Sequence, residues 1–140
     1  MSTREDLGFL LAKASQRWNE LLAERFREAG YHEVRPAYGS VLLPLFEEDG
    51  LRMGELARRS RLSKQTMTTL VRLAERDGLV AREPDPADAR ATLVSLTQRA
   101  RAFRPVADDV LQELGSRVAQ ELGAAQAAEL ERLLKGVMDL

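Results

Sequence analysis

The chain has 140 residues, of which 44% are apolar and 31% charged, with a formal net charge of −1 at pH 7. This length and composition are typical of one ordinary domain with its own core, and leave little room for a second module. The chain contains no cysteine, which excludes disulfides, thiolate nucleophiles and cysteine-ligated zinc, and its single histidine, His32, lies in a loop-like stretch without the partners that imidazole metal sites or Ser-His-Asp catalysis need.

The first predicted element is an amphipathic helix from about Leu7 to Ala29. Its apolar residues are spaced by threes and fours: Leu10, Leu11, Ala14, Trp18, Leu21, Leu22 and Phe26. Gly30 is a suitable stop for this helix. A second helix is predicted from Pro36 to about Glu48. Because a proline inside a helix removes a backbone donor and crowds the preceding turn, we expect a kink or an early end at Pro44.

Two short helices follow the turn signal at residues 49–50. The first is predicted from Met53 to Arg59. The second begins after Ser63, whose hydroxyl can cap its first turn, and it runs to about Asp77, before Gly78 ends it. Two helices separated by three or four residues form a helix-turn-helix unit.

A β-hairpin and two further helices complete the chain. Residues 79–83 and 92–96 alternate between apolar and polar side chains, and the eight residues between them, 84–91, are expected to project as a long wing. Thr97 can cap a helix to about Leu122, with an apolar stripe at Val106, Val110, Leu111, Leu114 and Val118. Gly123 breaks it, and a last helix is predicted from Ala124 to Met138.

The helix after Ser63 has two contrasting faces. At 100° per residue, its inward side is predicted to carry Met67, Leu70, Val71 and Ala74. The outward side carries Gln65, Thr69, Arg72 and Arg76, flanked by Lys64 and Thr68. Since a solvated face usually mixes both signs of charge, and this one has no acid before Glu75, the pattern favours contact with DNA phosphates and base edges in the major groove.

Charge is distributed unevenly along the chain. Residues 52–104 hold twelve Lys or Arg and six Asp or Glu, a balance of +6, while the rest hold nine basic and sixteen acidic residues, a balance of −7. A basic middle between acidic ends suits a nucleic-acid face mounted on a separate scaffold. Chance clustering on a solvated surface explains the charge balance equally well.

The predicted wing contains a carboxylate and a guanidinium two residues apart. Asp88 could orient Arg90 so that it stays extended toward a minor groove. The same pair could instead be a salt bridge that stiffens the hairpin. The residues alone leave both interpretations open.

Five segments in this order and spacing resemble the multiple-antibiotic-resistance regulator (MarR) family of bacterial transcription factors. They are residues 56–59 (LARR), 62–67 (LSKQTM), 73–80 (LAERDGLV), 85–91 (DPADARA) and 94–97 (VSLT). The resemblance implies a mainly α (α+β) fold: one domain over residues 1–140, with a winged helix-turn-helix at about 36–104 and dimerisation helices at about 1–34 and 105–140. It further implies an obligate homodimer on a palindromic operator, with Arg90 in the minor groove.

The predicted DNA-binding residues combine the helix face with the wing. They are Ser63, Lys64, Gln65, Thr66, Thr68, Thr69, Arg72, Arg76, Asp88 and Arg90. The resemblance also implies a repressor that leaves DNA when a small aromatic ligand binds between the dimerisation and DNA-binding parts. Trp18, Tyr38, Phe46 and Phe103 are the aromatic residues that could line such a pocket, although aromatics at helical spacing more often form a core.

The first and last helices carry apolar stripes that have no obvious partner within so small a domain. The same surface of a second chain would cover them, and the candidate contacts are Leu7, Leu10, Leu130, Leu133, Leu134 and Val137. One departure from the family is Arg61, which stands where the turn commonly has glycine. A left-handed backbone there would imply strain of roughly 1 kcal/mol.

Other function classes are less consistent with the sequence. An enzyme is disfavoured because no nucleophile-base pair, metal cluster or glycine-rich phosphate loop appears, so neither a metal nor a cofactor is predicted. The alternative is a helical protein-interaction module whose basic face binds an acidic partner. No apolar run approaches the ~18 residues of a membrane span, so a cytoplasmic protein without membrane contact is expected.

Overall fold

The computed structural model describes residues 5–140, and helices dominate this part of the chain. The helices are α1 (Leu7–Glu28), α2 (Gly39–Glu47), α3 (Met53–Arg59), α4 (Lys64–Arg76), α5 (Gln98–Leu122) and α6 (Ala124–Met138). A single turn of 3-10 helix, Pro36–Tyr38, precedes α2. Two compact units divide the chain, one up to Val106 and the other Ala107–Leu140. No helix within residues 5–140 is long and apolar enough to cross a membrane.

Three antiparallel strands form one small sheet. They are β1 (Leu51–Arg52), β2 (Val80–Asp85) and β3 (Asp88–Leu96), arranged in the order β1-β3-β2. Leu51 pairs with Val94, and Val80 pairs with Leu96. The helix-turn-helix α3–α4 followed by a hairpin confirms the predicted winged helix-turn-helix.

The wing is more regular than the sequence predicts, and the expected eight-residue loop is wrong. Both strands continue until only Pro86 and Ala87 remain in the turn. Pro84 is tolerated because β2 is an edge strand, where a missing N–H breaks fewer pairings. The pairing shifts from Pro84 with Thr92 to Asp85 with Asp88, so that residues 89–91 bulge out of β3.

Local signals set the helix ends. Ser63 caps α4 as predicted, since its hydroxyl oxygen accepts a hydrogen bond from the Thr66 N–H at 3.1 Å. Thr97 caps α5 in the same way, accepting from the Ala100 N–H at 3.3 Å. The predicted stops at Gly78 and Gly123 are confirmed, and both have positive φ angles, 80° and 91°.

Pro44 does not end α2, which continues to Glu47, so the expected early end is not observed. Proline has no N–H to donate to the carbonyl of Ser40, four residues earlier in the helix. The hydroxyl of Ser60 donates to that carbonyl instead, at 2.5 Å. A side chain from α3's C-terminus therefore replaces the missing helical hydrogen bond.

The core of the first unit lies between α2, α3, α4 and the sheet. Its fully buried large side chains include Tyr38, Leu42, Leu45, Leu56, Met67, Leu79 and Val94. The predicted inward face of α4 is confirmed, because Met67, Val71 and Ala74 are buried and Leu70 is half-buried. Burial of this face leaves the opposite side of α4 exposed.

The turn between α3 and α4 contains the unusual backbone expected at Arg61. Its φ angle is 55°, and it is the one non-glycine residue within residues 5–140 with positive φ. Strain of roughly 1 kcal/mol is implied for an L-residue in this region.

Candidate nucleic-acid interface

The outward face of α4 is a row of exposed polar and basic side chains. Lys64, Gln65, Thr66, Thr69, Arg72 and Arg76 are exposed, and Thr68 is half-buried. The side chains of Lys64, Gln65 and Arg72 have no hydrogen-bond or ion-pair partner within residues 5–140. Their donors therefore point into solvent without a competing partner on the protein.

The hydroxyl groups on α4 are committed to the helix itself. Thr68 Oγ1 donates to the Lys64 carbonyl at 2.8 Å, and Thr69 Oγ1 donates to the Gln65 carbonyl at 3.2 Å. Ser63 Oγ donates to Thr66 Oγ1 at 2.9 Å while it caps the helix. These groups can still accept hydrogen bonds or present methyl groups, but the free donors of the face belong to lysine, glutamine and arginine.

The C-terminal end of α4 is stabilised by a buried tyrosine. Tyr38, which has no exposed surface, donates its hydroxyl to Asp77 Oδ2 at 2.5 Å. Arg76 Nε lies 3.2 Å from the other carboxylate oxygen of Asp77. These two donors hold the pKa of Asp77 below its ordinary value. They also compensate an anion placed at a helix C-terminus, where the helix dipole disfavours it.

Replacing Tyr38 with phenylalanine is expected to lower the free energy of unfolding by about 1.5–3 kcal/mol, as is typical of a hydrogen bond to a charged group. The pKa of Asp77 is lower in the folded protein than in the unfolded chain, so its carboxylate stabilises the fold at pH values above the unfolded-state pKa. This contribution is lost as the pH falls through the pKa of Asp77 in the folded protein. The variant should therefore lose less stability on acidification than the wild type. Urea denaturation at pH 7 and at stepwise lower pH measures both effects.

Tyr31→Phe is the matched control, since the Tyr31 ring packs against Phe103 at 5.0 Å and its hydroxyl has no partner within residues 5–140. Equal unfolding free energies and equal acid sensitivity for Tyr38→Phe and Tyr31→Phe would contradict the role of the Asp77 hydrogen bond.

At the wing, Arg90 extends into solvent. Its side chain is 92% exposed, and its Nε lies 3.3 Å from Asp88 Oδ1. The same oxygen accepts the backbone N–H of Arg90 at 3.1 Å. An ion pair this exposed contributes little to stability. The geometry is consistent with a carboxylate that orients the arginine more than with a brace for the hairpin.

A groove of about 600 Å³ lies between the wing and the start of α4. It is lined by Arg52, Met53, Gly54, Glu55, Lys64, Arg82, Arg90, Ala91 and Thr92. Sequence reasoning selected Lys64 and Arg90 but missed Arg52 and Arg82. The signal available in the sequence was that both residues lie in the basic segment 52–104. That signal does not show that two different strands place them along one groove.

The predicted ligand-pocket residues lie within the first unit, and most of them are buried. Tyr38, Phe46 and Phe103 are buried, and Trp18 is half-buried on α1. Phe103 packs edge-on against Phe26, with the ring centroids 4.8 Å apart. The groove beneath the wing is not lined by any of these four side chains. The ligand pocket therefore stays a prediction.

The predicted dimerisation residues are all exposed in the single chain. On α1, Leu7 and Leu10 are 64% and 50% exposed. On α6, no residue is buried, and Leu130, Leu133, Leu134 and Val137 are exposed. Within the second unit, Leu122, Leu130 and Leu133 line an apolar groove of about 310 Å³. Apolar helix faces of this kind call for a covering partner.

The helix-turn-helix and its wing define a winged helix-turn-helix protein. The sequence model of the MarR family matches residues 35–91. An HTH-type transcriptional repressor of Mycobacterium tuberculosis (strain ATCC 25618 / H37Rv) is 35% identical over 91 residues, which is 65% of this chain and 66% of that protein. The match thus spans slightly less than two thirds of that relative. The chain is similar to the MarR family over these residues.

Solved structures show the same fold along nearly the whole chain. The repressor CouR, bound to a 23-mer DNA duplex, superposes with a TM-score of 0.79 at 24% identity, covering 98% of this chain and 99% of CouR. The PcaV regulator of Streptomyces coelicolor, in complex with its natural ligand, gives a TM-score of 0.81 at 22% identity, covering 99% and 98% of the two chains.

Proposed function

We propose that this protein is a transcriptional repressor that binds a palindromic DNA operator as a homodimer. The observation that carries this proposal is the outward face of α4, where Lys64, Gln65 and Arg72 are exposed and unpaired within residues 5–140. The repressor of Mycobacterium tuberculosis and the DNA-bound CouR support it. We further propose that the protein catalyses no reaction and acts in the cytoplasm.

The predicted DNA-binding residues divide by chemistry. Gln65 can pair with adenine through two hydrogen bonds, and Arg72 or Lys64 can donate to guanine or to phosphates. Ser63, Thr66, Thr68 and Thr69 shape the helix start and offer acceptors and methyl groups. Arg90, oriented by Asp88, extends toward the minor groove of the same half-site.

A two-fold dimer accounts for the uncovered apolar faces. Leu7 and Leu10 of α1, and Leu130, Leu133, Leu134 and Val137 of α6, would pack against the same surface of a second chain. Such a dimer sets two recognition helices about 34 Å apart, so each reads one major groove ~10 base pairs from the other.

Release by a small aromatic ligand fits the same scheme. The PcaV structure in complex with its natural ligand supports the binding of a ligand by this fold. The candidates for contact in this chain are the aromatic side chains Trp18, Tyr38, Phe46 and Phe103. A ligand that prefers a dimer with a different spacing of the two α4 helices would weaken DNA binding by its differential affinity for the two states.

Selection of bound duplexes from a random pool tests the function and the role of Gln65 together. We expect the wild type to enrich one palindrome, with affinity falling steeply as salt rises. Gln65→Ala should enrich a different base at one position of each half-site. Gln98→Ala, an exposed glutamine outside α4, is the matched control and should select the wild-type sequence.

Two outcomes would contradict these expectations. If Gln65→Ala weakens binding equally on every sequence, Gln65 does not read a base. If the wild type enriches no duplex even at low ionic strength and instead binds an acidic protein, the chain is an interaction module and not a repressor.

A further inference from the structure

We propose that the groove beneath the wing binds one phosphodiester of the DNA backbone in each protomer, with Arg82 and Lys64 as its donors. The proposal rests on the proposed DNA-binding function and adds one residue, Arg82, to the contacts made by the outward face of α4 and by the wing tip. Arg82 is the residue on which it depends most.

Arg82 lies on the inward side of the wing, a face on which its neighbours are buried apolar side chains and a charged residue is unexpected. It pairs across the sheet with Val94, which is fully buried, and it shares its strand face with the buried Val80. The other face of β2 carries Ala81 and Glu83, both exposed. A charge present only for solubility would lie on that outward face.

A carboxylate of α4 holds one edge of the Arg82 guanidinium. Arg82 Nε and Nη2 lie 3.1 Å and 3.0 Å from Glu75 Oε1. Arginine has five N–H donors in a fixed fork, and this contact occupies one edge of it. The remaining donors belong to a side chain that lines the groove and is 38% exposed.

Arg52 also lines the groove, but its side chain is paired on the other face of the sheet, since Arg52 pairs with Leu93 and Leu93 pairs with Glu83. Its Nε and Nη2 lie 2.8 Å and 2.7 Å from Asp85 Oδ2. Asp85 also accepts the Ala87 N–H at 2.8 Å, and this hydrogen bond and Arg52 hold its pKa below the ordinary value. Neither Glu75 nor Asp85 lines the groove, so the Arg82 guanidinium and the unpaired Lys64 are its candidate donors.

Glu55, the acidic residue on the groove wall, is committed elsewhere. Its carboxylate accepts from Arg58 Nη2 at 2.5 Å and from Arg59 Nε at 3.0 Å, and these contacts lower its pKa to about 2. Its charge is therefore met by two cations that do not line the groove. The volume of about 600 Å³ is within the range of roughly 300–1,000 Å³ found for small-ligand sites.

A mechanical role is the alternative, in which the Arg82–Glu75 pair only ties the wing to the recognition helix. The two roles differ in which partner matters. If Arg82 binds a phosphate, its charge is required and Glu75 is secondary. If the pair is a brace, loss of either residue has the same consequence.

The experiment compares Arg82→Ala with Glu75→Gln, which breaks the same ion pair and keeps the cation. Binding of the 140-residue chain to its selected operator duplex is measured by fluorescence anisotropy over a series of NaCl concentrations. Arg82→Ala is expected to reduce the slope of log affinity against log salt by about 0.9 for each protomer, since one phosphate contact is lost. Arg82→Lys and Glu75→Gln should keep the wild-type slope.

Equal weakening by Arg82→Ala and Glu75→Gln with an unchanged slope would overturn the proposal in favour of the brace. Arg82→Gln serves if the alanine variant does not fold, as judged by its thermal unfolding curve. A wild type without salt-dependent duplex binding would instead overturn the proposed function itself.

Two further arms identify the source of the phosphate. A methylphosphonate removes the negative charge of one phosphate in the duplex. At one position in each half-site this substitution should remove the difference in affinity between the wild type and Arg82→Ala. Inorganic phosphate added at constant ionic strength should compete no better against the wild type than against the variant. No such duplex position, or selective competition by inorganic phosphate, would contradict a DNA-backbone site.

Discussion

Replacing Leu133 with glutamate is expected to convert the proposed dimer into a monomer and to weaken binding to a palindromic duplex by about 10²–10⁴-fold, the usual gain from linking two binding modules. Leu133 is 51% exposed on α6, within a helix face that has no cover in the single chain. A carboxylate buried there in a dimer would lack a partner, which is costly. Sedimentation velocity gives the oligomeric state, and anisotropy gives the affinity.

Ala128→Glu is the control for Leu133→Glu, because it adds the same charge to α6 at an exposed position on the side opposite the leucines. It should remain dimeric and bind the palindrome normally. A Leu133→Glu protein that sediments as a dimer at micromolar concentration would show that α6 is not the contact between protomers.

Replacing Arg90 with alanine is the second large expected effect. We expect weaker binding on every duplex, by about 1.5–3 kcal/mol for each protomer, because a charge-assisted contact in the minor groove is lost. The dimer should keep its stability, since the Arg90 side chain is 92% exposed and its pair with Asp88 contributes little to folding. Anisotropy on several duplexes and thermal unfolding measure the two quantities.

Two companion variants sharpen the Arg90 experiment. Asp88→Asn keeps the guanidinium but removes the carboxylate that accepts from it, so it should weaken binding less than Arg90→Ala. Arg132→Ala removes another exposed arginine, which pairs with Glu129 on α6, and it should leave affinity unchanged. Unchanged affinity for Arg90→Ala would show that the wing does not touch DNA.

Much of the fold was predictable because its signals are local. The cap at Ser63, the stops at Gly78 and Gly123, and the bounds of α6 depend on residues within a few positions of one another. The inward face of α4 follows from helical periodicity, and burial of Met67, Val71 and Ala74 confirms it. The same periodicity selected the exposed face on which the proposed function depends.

The wing shows where local signals were insufficient. Pro84 and Pro86 favour a loop when only their own segment is considered. The length of β2 depends instead on pairing with β3 and on the shift of register at Pro84 and Asp85. The length of a strand depends on the strand with which it pairs. The bulge at residues 89–91 of β3 therefore cannot be predicted from the residues of β2.

The sequence by itself determined the order of the helices and strands, most of their ends, and the basic, acid-free outer face of α4. Only the tertiary structure showed that Arg52 meets Asp85 across 33 positions, that Tyr38 meets Asp77 across 39, and that Arg82 turns inward to Glu75. Helix faces and caps are encoded by neighbours along the chain. A groove between a strand and a helix exists only after distant segments have packed, because its walls belong to different elements.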